Sequence, residues 1–259
     1  MTERPLFVAP DPDPEPAPDP APDWVERRMT LVEHLEELRR VLVVSLVCWL
    51  VGSVIGVAIS GVVLDLLVQP LQYLHQPLHY FSPMGFFTIH LKVGLVVGLV
   101  IALPAILHQA WTFIAPGLKP KERRFAAPLL FSSIALFAMG GGLAYFFLYI
   151  AVRIIGAVSH DNSSLVFFPE AGAYISFVVL LMLAFGITFE FPVALVLGAL
   201  VGLVNSRWLR SHRPHAIFLI CGVGYLVTPG VDPVTPLALI IPLLLLFEAS
   251  IGVIRIMGK

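Results

Sequence analysis

The sequence predicts an all-α membrane protein with six transmembrane helices of unequal length and both chain ends in the cytoplasm. Hydrophobic residues make up 58% of the chain and the mean hydropathy is +0.90, which excludes an ordinary soluble protein. Fourteen of the sixteen Lys and Arg residues lie at the chain ends or in two loops, Lys119–Arg124 and Arg207–Arg213. Of the other two, Arg153 lies in a loop on the opposite side of the membrane and Lys92 lies within a span. Because cytoplasmic loops retain Lys and Arg, this asymmetry predicts an even number of spans and an N-in, C-in orientation.

The N-terminal segment is rich in Pro and Asp, with Pro at nearly every second position from Pro10 to Pro22. Such a tract cannot build a hydrophobic core, so residues 1–29 are predicted to be a disordered cytoplasmic tail. The pattern Thr30-Leu31-Val32-Glu33 then fits a capping box that begins a helix. That helix is predicted to continue without a break into the first span, and residues 30–259 are predicted to form the transmembrane domain.

Long apolar runs alternate with short polar loops along the rest of the chain, and each run predicts one span. The predicted spans cover residues 41–60, 89–113, 125–152, 171–204, 215–227 and 237–254. One outer loop is predicted at Gly61–Thr88, with a candidate interfacial helix at Leu64–Leu74, and a second at Arg153–Pro169. The unequal lengths of the spans indicate an irregular bundle, and the sequence shows no internal repeat.

The fourth and fifth spans depart from the usual length in opposite directions. The fourth would be ~50 Å long at 1.5 Å per residue, well beyond a hydrocarbon core of ~30 Å. It is therefore expected to tilt, kink or project from the bilayer, and Pro192 is a ready cause of a kink. The fifth would be only ~20 Å long, which implies local thinning of the bilayer or shelter by neighbouring helices.

Glu190 is the acidic residue placed deepest in the predicted bundle, about midway along the fourth span. A charged carboxyl is expensive to bury there, so Glu190 is a candidate functional residue that faces protein or a water-filled cavity. The alternative is structural, because Pro192 frees the carbonyl of Thr188 and Glu190 can help to satisfy the local backbone.

Two cytoplasmic acids, Glu37 and Glu122, precede the first and third spans and lie among arginines. Both can be ordinary helix-end residues. Glu36, the neighbour of Glu37, has the i, i+4 spacing for an ion pair with Arg40. Glu122 suits the first turn of a helix, where the helix dipole favours an acid. Two carboxylates on one face would equally make a receptor for guanidinium groups, because a carboxylate and a guanidinium match in a bidentate geometry.

The remaining polar residues argue against other kinds of site. The two cysteines lie in apolar spans, and the histidines are scattered, with only His75 and His79 at i, i+4 spacing in a predicted loop, so no metal or other cofactor is expected. No nucleophile–base constellation is visible, so an enzyme is not expected, and nucleic acid is not an expected partner. A proton-coupled carrier of small solutes, with Glu190 as the proton-binding residue, is the main alternative class. The lack of a repeat and of paired broken helices disfavours it.

Five stretches between residues 30 and 255 are similar, in the correct order, to the motifs of one known family. They are His34-Leu35-Glu36-Glu37-Leu38-Arg39, then Ser82-Pro83, then Trp111–Leu118 with Glu122-Arg123-Arg124, then Phe185–Pro192, and last Thr228-Pro229 with Asp232-Pro233. Each motif alone is weak, but five in register are highly specific. On these motifs the chain resembles the TatC family, the multi-span receptor subunit of the twin-arginine protein translocase.

The resemblance implies a concave, glove-shaped bundle of six helices in the cell (inner or plasma) membrane. It also implies a receptor that binds twin-arginine signal peptides and exports folded proteins at the expense of the proton-motive force. The implied partners are single-span TatA- or TatB-type proteins, membrane lipid and further copies of the chain in a receptor complex.

The family's site residues carry over position by position. Glu37 and Glu122 would bind the arginine pair, with Leu38, Arg39 and Phe113 shaping the same surface. Glu190 would face the concave side within the membrane. The remaining implied positions are Thr228 and Tyr225 for partner docking and Ser82, Pro83 and Asp232 for the outer-loop turns.

Two positions depart from the family pattern. Many members carry an acid in the pattern Ser-Pro-x-Glu, where this chain has Gly85. The last outer turn commonly ends in Thr-Gln, whereas Thr235 is followed here by Pro236. The missing Gln side chain would be a polar handle for a partner helix, so the second departure bears on partner docking.

Overall fold

The computed structural model describes residues 31–74, 78–79, 82, 84–115, 118, 122–161, 170–227 and 234–258. The predicted tail, the cap at Thr30 and the predicted turn residues Pro83, Thr228 and Asp232 lie outside them. The helices are α1 (Leu31–Ala58), α2 (Ser60–Val68), α3 (Gly85–Ile114), α4 (Ala126–Asp161), α5 (Ala171–Thr188), α6 (Phe191–Val201), α7 (Ser206–Ser211), α8 (Arg213–Val227) and α9 (Val234–Ile256). Short 3₁₀ turns cover Gln69–Leu74 and Arg123–Phe125.

The predicted all-α class is confirmed. In the described part of the chain the only strand-like pairing is an isolated bridge between His79 and Glu170. Five segments are long and apolar enough to cross a membrane: Val32–Ala58, Gly85–Ile114, Arg123–Ile154, Ala171–Val201 and Pro236–Ile256. The predicted short fifth span corresponds to α8, which has 15 residues.

The loops between the first four spans are more helical than the sequence predicted. The chain bends at Ile59, and α2 with its following 3₁₀ turn occupies residues 60–74 of the predicted first outer loop. The prediction of a loop from Arg153 is wrong, because α4, which has 36 residues in all, continues past Arg153 to Asp161. The residues that follow Val152 are mostly apolar and include no proline, so nothing in them stops the helix.

The long fourth span is broken in the middle. Its first half, α5, ends at Thr188, and its second half, α6, begins at Phe191 with Pro192 in its first turn. Proline has no N–H to donate and is favoured in the first turn of a helix, and the break falls directly before it. Pro104 inside α3 and Pro242 inside α9 do not break their helices. Gly202 ends α6 with φ of 85°, a left-handed conformation that favours glycine.

Close backbone contact joins α1 and α3 as an antiparallel pair. Gly52 and Gly56 of α1 face Gly98 and Gly94 of α3, so that a Cβ added at Gly56 would lie 2.2 Å from the Gly94 carbonyl oxygen. Small residues four apart let two membrane helices approach this closely. The indole of Trp49 adds a 2.9 Å hydrogen bond to the carbonyl of Leu95. The start of α1 is thereby fixed beside the end of α3.

Two clusters of buried apolar side chains hold the other helices. One joins α4 to α5, α6, α8 and α9, with Phe185, Leu239 and Phe247 at its centre. The other packs α2 against α3, α4 and α5. The Tyr145 and Tyr174 hydroxyls donate 2.9 Å hydrogen bonds to the carbonyls of Leu66 and Leu67, which tie the end of α2 to α4 and α5.

Candidate functional site

The first candidate site comprises the start of α1, the end of α3 and the start of α4, which lie at the same end of the bundle. The imidazole of His34 stacks on the ring of Phe113, with the ring centroids 4.3 Å apart and the planes at 20°. This contact follows from the α1–α3 glycine packing, which sets the register of the two helices. Phe113, predicted from the family pattern, is therefore part of this surface.

Glu37 lies one turn after His34, on the same face of α1. Its Oε2 is buried and has no hydrogen-bond partner among the described residues. A buried carboxylate oxygen without a donor carries an energetic penalty, which an incoming cation would relieve. Leu38 beside it is half-buried and Arg39 is exposed.

Glu122 precedes the 3₁₀ turn that leads into α4 and is only 8% exposed. Its backbone carbonyl accepts a 3.0 Å hydrogen bond from the amide of Phe125. The next two residues, Arg123 and Arg124, are exposed, so this acid alone points into the protein. The structure thus places Glu122 at the same end of the bundle as Glu37.

The expected ion pair of Glu36 with Arg40 does not form. Both side chains are exposed, and in the described ranges the only ion pair within 4 Å joins Arg213 to Glu248, at 2.6 Å. Glu248 is therefore paired with Arg213 of α8 rather than with Arg255 of its own helix. The reason is that α8 and α9 are packed side by side, which brings the start of α8 to Glu248.

The second candidate site is at the break of the fourth span. Glu190 is half-buried between α5 and α6, and its Oε2 accepts a hydrogen bond from the hydroxyl of Ser133 on α4. Its Oε1 is buried and has no partner among the described residues. The Glu190 side chain makes no hydrogen bond that caps α6. The alternative in which Glu190 satisfies the local backbone is therefore not supported by a bond at this helix end. The carboxyl instead links α4 to the broken span.

Replacing Ser133 with Ala is expected to destabilise the protein by about 1–3 kcal/mol, because it leaves a buried Glu190 oxygen without its donor. Ser132 is the matched control, since its hydroxyl bonds only to the Leu129 carbonyl of its own helix. Thermal unfolding in detergent should show a clear loss of stability for Ser133→Ala and little change for Ser132→Ala. Equal effects of the two substitutions would contradict a role for the Ser133–Glu190 bond.

An apolar groove of about 350 Å³ lies next to this second site. Its lining comes from the end of α1 and from α2, α3, α4 and α5, and includes Ile101, Pro104, Ile134 and Phe137. Phe137, which lines the groove, lies one turn after Ser133 on the same face of α4, so the groove begins about one turn of helix from the Ser133–Glu190 contact.

Of the residues predicted for the outer end of the bundle, Tyr225 and Ser82 lie within the described part of the chain. Tyr225 is 61% exposed near the end of α8, which leaves its ring available to a partner. Ser82 is exposed, and its carbonyl accepts a 2.9 Å hydrogen bond from the amide of Gly85 at the start of α3. Gly85, the departure from the family pattern, is therefore the first residue of a helix rather than a loop residue.

The family model described as Sec-independent protein translocase protein (TatC) matches residues 33–242 of the chain. The chain belongs to the TatC family. The resemblance seen in the motifs is thereby confirmed, and the protein is a multi-span component of a protein translocase family rather than a member of a known enzyme family.

Known TatC proteins match most of the chain in sequence and in fold. The TatC of Carboxydothermus hydrogenoformans is 34% identical over 231 residues, which cover 89% of this chain and 94% of the relative. The TatC of Aquifex aeolicus is 37% identical, over 86% and 93% of the two chains. A crystal structure of the twin arginine translocase receptor TatC has a TM-score of 0.75 and 36% identity, covering 86% of this chain and 99% of that one.

Three contacts of polar side chains were not predicted from the sequence. They are the stack of His34 on Phe113, the bond of Ser133 to Glu190 and a 2.8 Å hydrogen bond from Lys92 to the hydroxyl of Ser176. Of these residues, only His34 could have been singled out from the sequence as a site residue, because it lies one turn before Glu37 in a family motif. The other two depend on helix packing that one sequence does not reveal.

Proposed function

We propose that this TatC protein is the core receptor of a twin-arginine translocase. It binds the paired arginines of a signal peptide at its cytoplasmic end and recruits single-span TatA- or TatB-type partners. Folded cargo then crosses the inner membrane at the expense of the proton-motive force. The receptor works as a complex that contains several copies of the chain.

The orientation rests on charge. The end of the bundle that carries Glu37 and Glu122 also carries both basic loops and both chain ends, which hold fourteen of the sixteen Lys and Arg residues. The positive-inside rule places that end in the cytoplasm, where an unexported signal peptide is available.

The observation that carries the proposal is the buried Glu37 oxygen without a partner among the described residues. Glu122, buried at the same end, supplies a second carboxyl. An arginine offers a planar fork of N–H donors that can satisfy a carboxylate in a bidentate geometry, which lysine cannot do. Leu38, Arg39 and Phe113 would form the walls of the site.

Partner recruitment is assigned to the membrane part of the bundle. The unpartnered Oε1 of Glu190, next to an apolar groove, suits a helix that brings one polar donor on an apolar surface. Tyr225, near the outer end of α8, and Thr228, which follows α8 in the sequence, would contact the same partner. The carrier alternative stays disfavoured, because among the described residues only the fourth span is broken near its middle, whereas a carrier site is typically built from a pair of broken helices.

Site-specific photo-crosslinking tests where the peptide binds. A photoreactive amino acid at Leu35, 63% exposed beside His34, should crosslink to a labelled twin-arginine peptide. The matched position is Met84, which is 70% exposed at the opposite end of the bundle. Crosslinks at Leu35 that disappear with a Lys-Lys peptide are expected. Equal crosslinks from both positions, or equal crosslinks with both peptides, would overturn the proposed site.

A further inference from the structure

The short helix α7, between the fourth span and α8, carries a cationic and aromatic surface that lies outside the proposed peptide site. Arg207 and Arg210 are three residues apart, so they lie on one face of the helix, and both are exposed. Trp208 between them is 47% exposed. These residues are at the same end of the bundle as Glu37 but on a different pair of spans.

The surface is rigidly held. The side chain of Asn205 caps α7 by accepting a 2.7 Å hydrogen bond from the amide of Trp208. Leu209, only 3% exposed, anchors the helix in the core cluster that includes α9. The Trp208 ring also stacks on His212, with the centroids 4.3 Å apart. A ligand would therefore meet these side chains without ordering a loop first.

The two arginines have no counter-charge. Within the described residues neither guanidinium has a carboxylate partner, and the nearby pair of Arg213 with Glu248 is already complete. Like charges three residues apart repel, so an anion that contacts both would stabilise the helix. A phosphodiester offers oxygen acceptors that suit two guanidinium groups.

Exposed apolar side chains flank this cationic pair along the chain. Leu203, before α7, is 79% exposed, and Phe218, in the second turn of α8, is 81% exposed. Trp side chains favour the boundary between headgroups and acyl chains. A charged pair with an aromatic and aliphatic border suits a lipid, which carries an anionic head on an apolar tail, better than a soluble anion.

We propose that α7 is a binding site for the headgroup of an anionic phospholipid, held by Arg207 and Arg210 with Trp208 against the start of the acyl chains. The site is independent of which peptide or partner the bundle binds. It would fix the break between the fourth span and α8 at the membrane surface.

Native mass spectrometry of the detergent-solubilised full chain tests this site. The probes are phosphatidylglycerol and phosphatidylcholine with identical acyl chains, with glycerol phosphate as a soluble competitor. Wild type should bind phosphatidylglycerol at least about tenfold more tightly than phosphatidylcholine, and Arg207→Gln with Arg210→Gln should weaken that binding about tenfold to thirtyfold. The matched control is Arg123→Gln with Arg124→Gln, two exposed arginines at the same end, which should change binding less than about twofold.

Three outcomes would overturn the proposal. Equal binding of the two lipids would show that the headgroup charge is not recognised. An equal loss in both double variants would show a general effect of charge rather than a site on α7. Competition by glycerol phosphate at the concentrations effective for the lipid would show a site for free phosphate.

Discussion

Replacing Glu37 and Glu122 together with glutamine is expected to weaken the binding of a twin-arginine peptide by at least about 100-fold. Each carboxylate would lose a charge-assisted hydrogen bond worth about 1.5–3 kcal/mol, while the shape of the side chain is kept. Both acids are at least partly buried at the start of a span, so water would screen the loss poorly. Fluorescence anisotropy of a labelled peptide with the detergent-solubilised protein measures the change.

The control for this prediction removes two other carboxylates, in Glu36→Gln with Asp65→Asn. Both side chains are exposed, and Glu36 is the direct neighbour of Glu37. This variant has the same change in net charge and should bind the peptide within about threefold of wild type, because exposed charges contribute little. A similar loss in both variants would attribute binding to overall charge and not to the Glu37–Glu122 site.

Replacing Gly56 with Leu is expected to prevent stable packing of α1 on α3. The first added carbon would lie 2.2 Å from the Gly94 carbonyl oxygen, and a backbone atom cannot move aside unless the two helices separate. Overpacking of this kind costs about 1–3 kcal/mol or more. The same separation would pull His34 from Phe113, so peptide binding should fall together with the melting temperature.

Gly61→Leu is the matched control for this packing. A Cβ at Gly61, in the first turn of α2, would have no atom within 4 Å. It should leave both the melting temperature in detergent and peptide binding close to the wild-type values. If Gly56→Leu were equally harmless, the α1–α3 contact would not be what positions the peptide site.

The fold was predictable from the sequence where one local signal dominates. Charge asymmetry and apolar runs predicted the class, and Pro192 predicted a kink that the structure places at Phe189–Glu190. These signals did not predict correctly where a helix ends beyond its apolar run. The sequence predicts a loop from Arg153, yet a single cation near the end of α4 does not stop a helix that no proline interrupts.

The candidate sites were predictable in part. An acid in an apolar run, as at Glu190, and acids among arginines, as at Glu37, are conspicuous in one sequence. Their partners are not, because Ser133 is 57 residues from Glu190 along the chain and is one of several serines in the spans. Which serine meets the carboxyl depends on how α4 packs on the broken span, through Gly140 against Phe185 and Gly186 against Phe137.

A double-mutant cycle between Glu37 and the arginine pair of the peptide tests the central claim most directly. The four affinities are those of wild type and Glu37→Gln, each with the native peptide and with a peptide in which one arginine is glutamine. Direct contact predicts a coupling energy of at least about 1.5 kcal/mol for one of the two arginines. Coupling within about 0.5 kcal/mol of zero for both arginines would contradict the claim that Glu37 receives the signal peptide.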